Sequence, residues 1–282
     1  MGAYELSLVT LVGINVILAL SLNLITGFCG QISLGHAAFY GTGAYACALI
    51  SQAGLPFYAG LAAGGLVAGA VGLVVGLASL RVRHDFLAIT TMGVGFLFLG
   101  IVRQQEALGG EIGLTIAPGH GLGSLGFALF IAVLAAAVAW FSLYVKRSWM
   151  GFSFDAVADD EDTARLVGID VARYKLTAFA LGTSIAGVAG GLYTQYSGII
   201  VPDAFGFVVS ITILAMVVVG GIGSTFGVLG ATVVLTLLPL VFQFIDDYKL
   251  LLYGGLLFVV MRFFPGGLAE LLRRAQPARR SP

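Results

Sequence analysis

The chain has 282 residues, of which 59% are hydrophobic and only 10% are charged, and its formal net charge is zero. Soluble globular domains carry about 25% charged residues, so this composition excludes an ordinary soluble protein. The balanced charge gives no reason to expect nucleic acid as a partner. Apolar runs of about 20 residues, long enough to cross the bilayer core, recur from end to end. We therefore expect an all-α polytopic membrane protein, with one transmembrane domain over residues 1–282.

The apolar runs predict nine membrane spans, in chain order 4–26, 34–52, 57–80, 86–103, 123–145, 173–196, 207–222, 225–245 and 250–266. Two boundaries stay open, because the chain either bends within a helix or turns at 27–33 and at the glycine cluster 220–227. The sequence therefore allows eight to ten spans. The first run lacks the basic flank and the cleavage site of a signal peptide, so we interpret it as the first span.

Lysine and arginine predict the orientation. Nine spans bring three basic segments to one side, namely Arg81 with Arg83, residues 146–175, and the tail at 267–282. Basic loops lie in the cytoplasm, whereas the opposite loops contain only Arg103 and Lys249. We expect the N-terminus outside and the C-terminus in the cytoplasm.

One cytoplasmic segment, 146–172, is long and hydrophilic and holds six of the 14 acidic residues. Within it, DAVADDEDTARLVG (155–168) predicts a short helix. The carboxylates at 159–162 suit the positive end of its dipole, and Gly168 suits its C-terminal cap. The alternative is a solvated connector, although a connector needs only a few residues.

The first of two glycine-rich stretches is GFCGQISLGHAAFYGTGAY (27–45), which is polar and flexible between two apolar runs. Irregular backbone at membrane depth survives only where protein shields it or where it lines a wet cavity. We expect a helix break at which Gln31, Ser33 and His36 either line a substrate pathway or hold the kink. Helix packing alone is the alternative for the glycines.

A second cluster, VVVGGIGSTFGVLGATVV (217–234), again places glycines and small polar residues within an apolar run. Two such interrupted helices are typical of a pseudo-symmetric bundle. The candidate pathway residues of the two stretches are Gly30, Gln31, Ser33, Gly35, His36, Gly221, Gly223 and Ser224.

Several kinds of chemistry have no sequence signature here. The chain has no G-x-x-x-x-G-K-[ST] loop, so a nucleotide site of that type would lie on another polypeptide. Neither a metal site nor a cofactor site nor a catalytic constellation is predicted. Charged residues are sparse within the spans, which disfavours a proton- or sodium-coupled carrier.

The sequence resembles the branched-chain amino acid ABC transporter permeases of the LivM type. The resemblance is carried by LSLNLITGFCGQISLGHAAFYGTGAYACAL (20–49), LRVRHDFLAITTMG (80–93), the 155–193 segment, DAFGFVVSITILAMVVVGGIGSTFGVLGA (203–231) and MRFFPGGLAELLRR (261–274). These blocks are collinear and cover most of the chain.

The resemblance implies a fold similar to the vitamin B12 and ribose type of importer, and a permease of the inner membrane that carries branched-chain or related hydrophobic amino acids. It also implies a second, LivH-like permease subunit, two cytoplasmic ATPase subunits that bind ATP–Mg, and an external solute-binding protein. Residues 155–168 would be the coupling helix that docks on the ATPase. Its residues would include Asp155, Asp159, Asp160, Glu161, Arg165 and Gly168.

The sequence departs from the family around the fourth span: Leu108 replaces a threonine in the external segment LGGEIGL (108–114), and the preceding GVGFLFLG (93–100) lacks an acidic residue that many members carry. These departures leave urea, amides or aromatic acids as alternative solutes. The alternative classes of protein are a stand-alone secondary transporter or facilitator and a membrane-embedded enzyme.

Overall fold

The computed structural model describes residues 2–80, 84–116, 119, 121–241, 249–263 and 266–267. In these residues the α-helices are α1 Ala3–Leu22, α2 His36–Gln52, α3 Phe57–Ser79, α4 His84–Gln104, α5 Ser124–Arg147, α6 Trp149–Asp159, α7 Glu161–Leu166, α8 Val171–Ser197, α9 Phe207–Gly220, α10 Thr225–Val241 and α11 Lys249–Phe263. A π-helix, Asn23–Phe28, extends α1, and 3-10 turns occupy Glu106–Leu108 and Pro202–Phe205. The two-residue strands β1 Leu114–Thr115 and β2 Ile199–Ile200 pair antiparallel, with Leu114 opposite Ile200.

The helices confirm an all-α polytopic membrane protein. Six helical segments of the described chain are long and apolar enough to cross a bilayer: Tyr4–Phe28, Phe57–Ala78, Phe86–Gln104, Ser124–Arg147, Val171–Ser197 and Pro202–Gly220. Thr225–Pro239 and Tyr253–Arg262 are shorter apolar helices. Each of the nine predicted spans overlaps one helix of the described chain, although α2, which covers the predicted span 34–52, is not among these apolar segments. Arg81, Arg83 and the basic tail from residue 268 onward lie outside the described residues.

Small residues bring α2, α3 and α8 into close contact. A Cβ atom on Gly43 would collide with the backbone of Gly187, and one on Gly187 would collide with that of Gly64. Without a hydrophobic drive between helices in lipid, such close backbone approach supplies the van der Waals contact that joins them. The packing role expected for glycines of the first stretch is therefore correct at Gly43.

Helix α1 is the centre of the bundle. It packs against α5, α8, α9 and α10, and its side chains from Ile14 to Leu22 include many that are fully buried. In contrast, α4 leaves large apolar side chains such as Phe86, Ile89 and Leu97 exposed. An exposed apolar face is the expected surface of a helix at the edge of a membrane bundle.

The 146–172 segment differs from its prediction in one way and excludes the alternative of a solvated connector. It forms two helices rather than one, because Asp160 adopts an extended conformation and caps the start of α7. It is also more than a solvated connector, since Phe154 and Val157 of α6 are fully buried in a second core. That core also includes Phe28 of the π-helix and Ala178 of α8, so the segment packs against the end of α1.

Candidate functional site

The first break is an irregular segment between α1 and α2. The π-helix ends at Phe28, and residues 29–35 have no regular structure before α2 begins at His36. Gly30 has a φ of +70°, a left-handed conformation that glycine adopts at no steric cost. The backbone N–H of Gln31 bonds the carbonyl of Ile25 at 3.2 Å, and the Thr26 hydroxyl bonds that of Gln31 at 2.9 Å. These bonds satisfy backbone groups that the break frees from the helix.

The second break is a true turn between α9 and α10. Gly221 and Gly223 have φ values of +100° and +78°, which favour glycine at both positions. The N–H of Ser224 bonds the carbonyl of Gly221 at 3.0 Å, and the Ser224 hydroxyl accepts from the N–H of Gly227 at 3.3 Å. Ser224 is therefore the N-cap of α10.

The two breaks touch each other. The N–H of Gly223 donates to Oδ1 of Asn23 at 2.9 Å, and both groups are buried. A Cβ atom on Gly27 would lie 2.6 Å from the same nitrogen, so glycine at 27 is what allows this approach. Lys146, at the end of α5, donates from Nζ to the carbonyl of Gly223 and lies 5.2 Å from the centre of the Phe28 ring. We call this cluster of Asn23, Gly27, Gly223 and Lys146 the junction.

The three polar residues predicted for the pathway are all completely buried. Nε2 of Gln31 donates to the carbonyl of Lys175 at 3.3 Å, whereas Gln31 Oε1 and Ser33 Oγ have no hydrogen-bond partner in the described part of the chain. Helix α4 holds the backbone next to Ser33, because the N–H of Leu34 bonds the Thr91 hydroxyl at 3.0 Å.

His36 is held by Ser21 of α1. The distance from His36 Nε2 to Ser21 Oγ is 2.7 Å, and the Ser21 hydroxyl donates its one proton to the carbonyl of Leu18 at 2.6 Å. Nε2 of His36 therefore carries the proton of that bond. Its Nδ1 atom is buried with no partner among the described residues. These bonds hold the break in shape, and a pathway role for Gln31, Ser33 and His36 stays a prediction.

Gly35 lies where α2 begins, and a Cβ atom there would collide with the backbone of Thr91 in α4. Ser210 of α9 accepts a hydrogen bond at 3.0 Å from the N–H of Ala37. The start of α2 is thus in contact with both α4 and α9.

The predicted coupling residues surround α7. The Asp160 carboxylate caps its first turn by accepting from the N–H of Thr163 at 2.6 Å. Gly168, with a φ of +86°, closes its last turn, because the N–H groups of Gly168 and Ile169 bond the carbonyls of Arg165 and Ala164 at 3.0 Å. These two hydrogen bonds form the Schellman motif, so the cap predicted at Gly168 is correct.

Charged side chains join α7 to its neighbours. Arg165 bonds Asp162 at 2.6 Å and Glu161 at 3.1 Å, and Glu161 pairs with the buried ammonium group of Lys175 in α8. Burial raises the pKa of Asp155, and the nearby Lys146 opposes this effect. A cleft of about 290 Å³ between α7, α8 and the end of α3 is lined by Glu161, Arg165 and Lys175.

The predicted coupling segment, residues 155–168, also contacts the first break directly. A Cβ atom on Gly30 would lie 3.0 Å from Cα and Cβ of Ala158 in α6. The structure therefore brings together Gly30 and Gln31, Gly223, and the α6–α7 pair. Farther along the chain, Gly35 lies against α4 and His36 lies against α1.

A cavity of about 500 Å³ is a feature that the sequence did not indicate. It lies between α1, α2, α8, α9, α10, α11 and the 202–205 turn, and its polar lining residues include Asn15, Tyr40, Tyr193, Asp203 and Thr236. Asn15 is recognisable in the sequence as a polar residue within an apolar run, whereas the tyrosines carry no signal that separates them from packing residues. None of Gln31, Ser33 and His36 lines this cavity.

In the described residues there is no group of three or more His, Cys, Asp or Glu side chains that could hold a metal ion. Both cysteines, Cys29 and Cys47, are buried and reduced.

Comparison with known proteins identifies the family. The family model described as "Branched-chain amino acid transport system / permease component" matches residues 5–261. The high-affinity branched-chain amino acid transport system permease protein LivM of Escherichia coli (strain K12) is 33% identical over 94% of this chain and 69% of its own length.

The LivM protein of Salmonella typhimurium is 32% identical over 96% of this chain and 71% of its own length. The LivH permease protein of Escherichia coli (strain K12) is 26% identical over 92% of each chain. No solved structure shows significant similarity. Because the family model covers most of the sequence, this chain belongs to the family of branched-chain amino acid transport permeases.

Proposed function

We propose that this chain is the membrane-spanning subunit of an ATP-driven importer for branched-chain or related hydrophobic amino acids. The names of its relatives, which are high-affinity branched-chain amino acid permeases, support the solute class. The proposed complex contains a LivH-like second permease subunit, two cytoplasmic ATPase subunits that bind ATP–Mg, and an external solute-binding protein. In the inner membrane the N-terminus is outside and the C-terminus is in the cytoplasm.

The observation that carries this proposal is the direct contact between the α6–α7 pair and the helix breaks. Gly30 packs on Ala158, and Gln31 bonds the carbonyl of Lys175, whose ammonium group pairs with Glu161 of α7. An ATPase that displaces α7 therefore acts on the first break through contacts of a few ångströms. Packed elements with two discrete arrangements transmit such displacements between sites.

The tip of α7 is suited to a protein groove. Leu166 and Val167 are 88% and 71% exposed, immediately before the cap at Gly168. Apolar side chains exposed at the tip of a charged loop, away from the apolar faces of the membrane helices, are a mark of a protein contact. In the proposed complex these two side chains enter the ATPase, and Asp155, Asp159, Asp160, Glu161 and Arg165 surround that contact.

Two glycines provide a matched test. Gly168 and Gly54 both have a positive φ, both have open space where a Cβ would lie, and both donate an N–H to a carbonyl three residues earlier. Proline forces φ to about −65° and removes that donor, so each substitution breaks one turn. The predicted orientation places the two turns on opposite sides of the membrane.

In the reconstituted transporter, Gly168→Pro is expected to abolish the stimulation of ATP hydrolysis by loaded binding protein, and Gly54→Pro is expected to leave it intact. Equal stimulation in the two variants would exclude docking at 155–168. Solute uptake into liposomes by this chain alone, without ATPase subunits, would instead indicate a stand-alone transporter.

A further inference from the structure

The cavity of about 500 Å³ has the size and lining of a small-molecule site. Ligand pockets in proteins usually occupy about 300–1,000 Å³ and combine apolar walls with a few polar groups. Here the apolar wall includes Leu11 and Leu18 of α1, Val209 and Met216 of α9, and Leu235 of α10. Such a wall fits an aliphatic group rather than a strongly hydrated one.

Polar groups are distributed around this wall. Nδ2 of Asn15 donates to the Thr236 hydroxyl at 3.2 Å, which joins α1 to α10 at the cavity surface. Tyr40 and Tyr193, which each carry a hydroxyl group, also line the cavity. Lipid chains offer no hydrogen-bonding groups, so a ligand with polar groups of its own suits this wall better than lipid does.

The mouth of the cavity carries an ion pair. Asp203 lines the cavity, and its carboxylate accepts from the Arg103 guanidinium at 2.5 Å. The two side chains are 81% and 47% exposed, so the cavity opens to the surroundings here. A guanidinium beside a carboxylate presents one partner for each charge of a zwitterion.

An aromatic cluster fixes the mouth. Phe205 follows Asp203 in the 202–205 turn and is almost fully buried. Its ring lies 5.2 Å from that of Tyr40 and 6.0 Å from that of Tyr193, measured between ring centres, in edge-to-face geometry. A Cβ atom on Gly41 would lie 2.9 Å from Phe205, so glycine provides the space for this ring. The turn that carries Asp203 is therefore anchored by the packed ring of Phe205.

We propose that this cavity is a solute site within the subunit, and that it takes an α-amino acid zwitterion with a small aliphatic side chain. The ammonium group meets Asp203, the carboxylate meets Arg103, and the aliphatic side chain lies between α1, α9 and α10. Tyr40, Tyr193 and the Asn15–Thr236 pair form its polar surface. This assignment rests on the proposed function and gives it a location that the helix breaks do not supply.

Thiol labelling tests the site without requiring transport. Both native cysteines are buried, so a cysteine introduced at Thr212, which lines the cavity, gives the main signal. In right-side-out membrane vesicles carrying the full chain, a membrane-impermeant methanethiosulfonate is expected to label Thr212→Cys, and saturating L-leucine or L-valine is expected to slow labelling at least about fivefold. L-glutamate is expected to give no protection, because its second carboxylate does not fit the apolar wall.

The control is Glu111→Cys, in an exposed loop outside the cavity, whose labelling is expected to be insensitive to leucine. Labelling of Thr212→Cys without protection by leucine or valine would overturn the proposal. Absence of labelling would show that lipid or protein fills the cavity and would overturn it as well.

Uptake measurements separate this proposal from the proposed function. In the reconstituted transporter, Asp203→Asn is expected to raise the KM for leucine about tenfold or more, as for loss of one charge-assisted hydrogen bond. Met216→Trp, which fills the cavity, is expected to lower leucine uptake more than Met216→Leu. ATP-driven leucine uptake that neither substitution changes would reject the site and retain the function. Absence of ATP-driven leucine uptake by the unaltered chain, with leucine protection of Thr212→Cys, would reject the function and retain the site.

Discussion

The side-chain oxygen of Asn23 accepts a hydrogen bond of 2.9 Å from the backbone N–H of Gly223, 200 residues later in the chain. This bond joins the π-helical end of α1 to the turn between α9 and α10. Lys146 bonds the carbonyl of the same glycine, so both backbone groups of Gly223 are satisfied by side chains from other helices. Each of the two helix breaks thus provides a hydrogen-bond partner for the other.

Removal of the Asn23 side-chain oxygen is expected to destabilise the protein. Asn23→Leu leaves the Gly223 N–H buried without an acceptor, which costs about 1–3 kcal/mol. Thermal unfolding in detergent measures the loss. The control is Thr232→Val, because the buried Thr232 hydroxyl has no partner in the described part of the chain and its removal is expected to be neutral or stabilising. Equal losses in both variants would contradict the assigned bond.

Gly27 is expected to tolerate no larger side chain. A Cβ atom would lie 2.6 Å from the nitrogen of Gly223, so Gly27→Ala forces the two breaks apart at a cost of about 1–3 kcal/mol. Gly230 in α10 has open space at the same position, and Gly230→Ala is expected to stabilise its helix by about 0.5–1 kcal/mol. We therefore expect Gly27→Ala to lower the unfolding temperature and Gly230→Ala to raise it. An equal decrease in the two variants would contradict the contact between the breaks.

Lys146, which belongs to the junction, is expected to connect it to the predicted coupling segment. Lys146→Met removes the bond to the Gly223 carbonyl and the contact of the ammonium group with the Phe28 ring. In the proposed importer we expect less solute imported per ATP hydrolysed, because the end of α5, which leads into α6, is no longer bonded to the second break. Arg147 is the next residue and is exposed, so Arg147→Met removes the same charge without the bond. An equal defect in Arg147→Met would point to loop charge instead.

The start of α7 is expected to be sensitive to acid. The hydrogen bond from Thr163 lowers the pKa of Asp160 below its ordinary value of 3.8. Because the folded pKa is below the unfolded one, this bond stabilises α7 fully above pH 3.8, and the stabilisation is lost as the pH falls through the folded pKa. Asparagine caps helices as well as aspartate but does not titrate.

Amide hydrogen exchange over residues 161–166 measures this effect. Asp160→Asn is expected to keep these amides protected below pH 3.8, and Asp160→Ala is expected to lose protection at every pH. Equal acid sensitivity of the unaltered chain and Asp160→Asn would assign the effect to another carboxylate.

Asp155 is expected to show the opposite dependence on pH. Burial raises its pKa above the unfolded value, so the charged form is disfavoured in the folded protein and stability increases as the pH falls through the folded pKa. Asp155→Asn is therefore expected to increase the unfolding temperature at neutral pH and to remove this gain on acidification. A lower unfolding temperature at neutral pH would mean that the attraction between Asp155 and Lys146 outweighs the cost of burial.

The spans were predictable because the length of an apolar run is a local property of the sequence. A run of about 20 apolar residues is long enough to cross the bilayer as a helix. Gly168 was predictable for a similar reason, since a left-handed cap depends on one residue and its immediate neighbours. The start of α7 has a local signal as well, because Asp160 followed by Glu161 and Asp162 is typical of a helix N-terminus. That signal divides 155–168 into two helices, where one had been predicted.

The contacts between distant segments were not predictable from the sequence. The glycine stretches are similar in composition, but nothing in either one indicates that Asn23 reaches Gly223. Phe154 and Val157 of α6 are buried in one core with Phe28, a contact that the sequence alone does not indicate. Tyr40 and Tyr193 become cavity residues only through the packing of α2 against α8.

The bond between Asn23 and Gly223 also bears on biosynthesis. Residue 23 emerges from the ribosome long before residue 223, so α1 enters the membrane with its broken end lacking this donor. A chain whose synthesis stops before residue 221 lacks the Gly223 N–H, which is the donor that bonds the Asn23 side-chain oxygen in the folded chain. The turn that follows α9 thus supplies the hydrogen-bond donor that completes the end of the first helix.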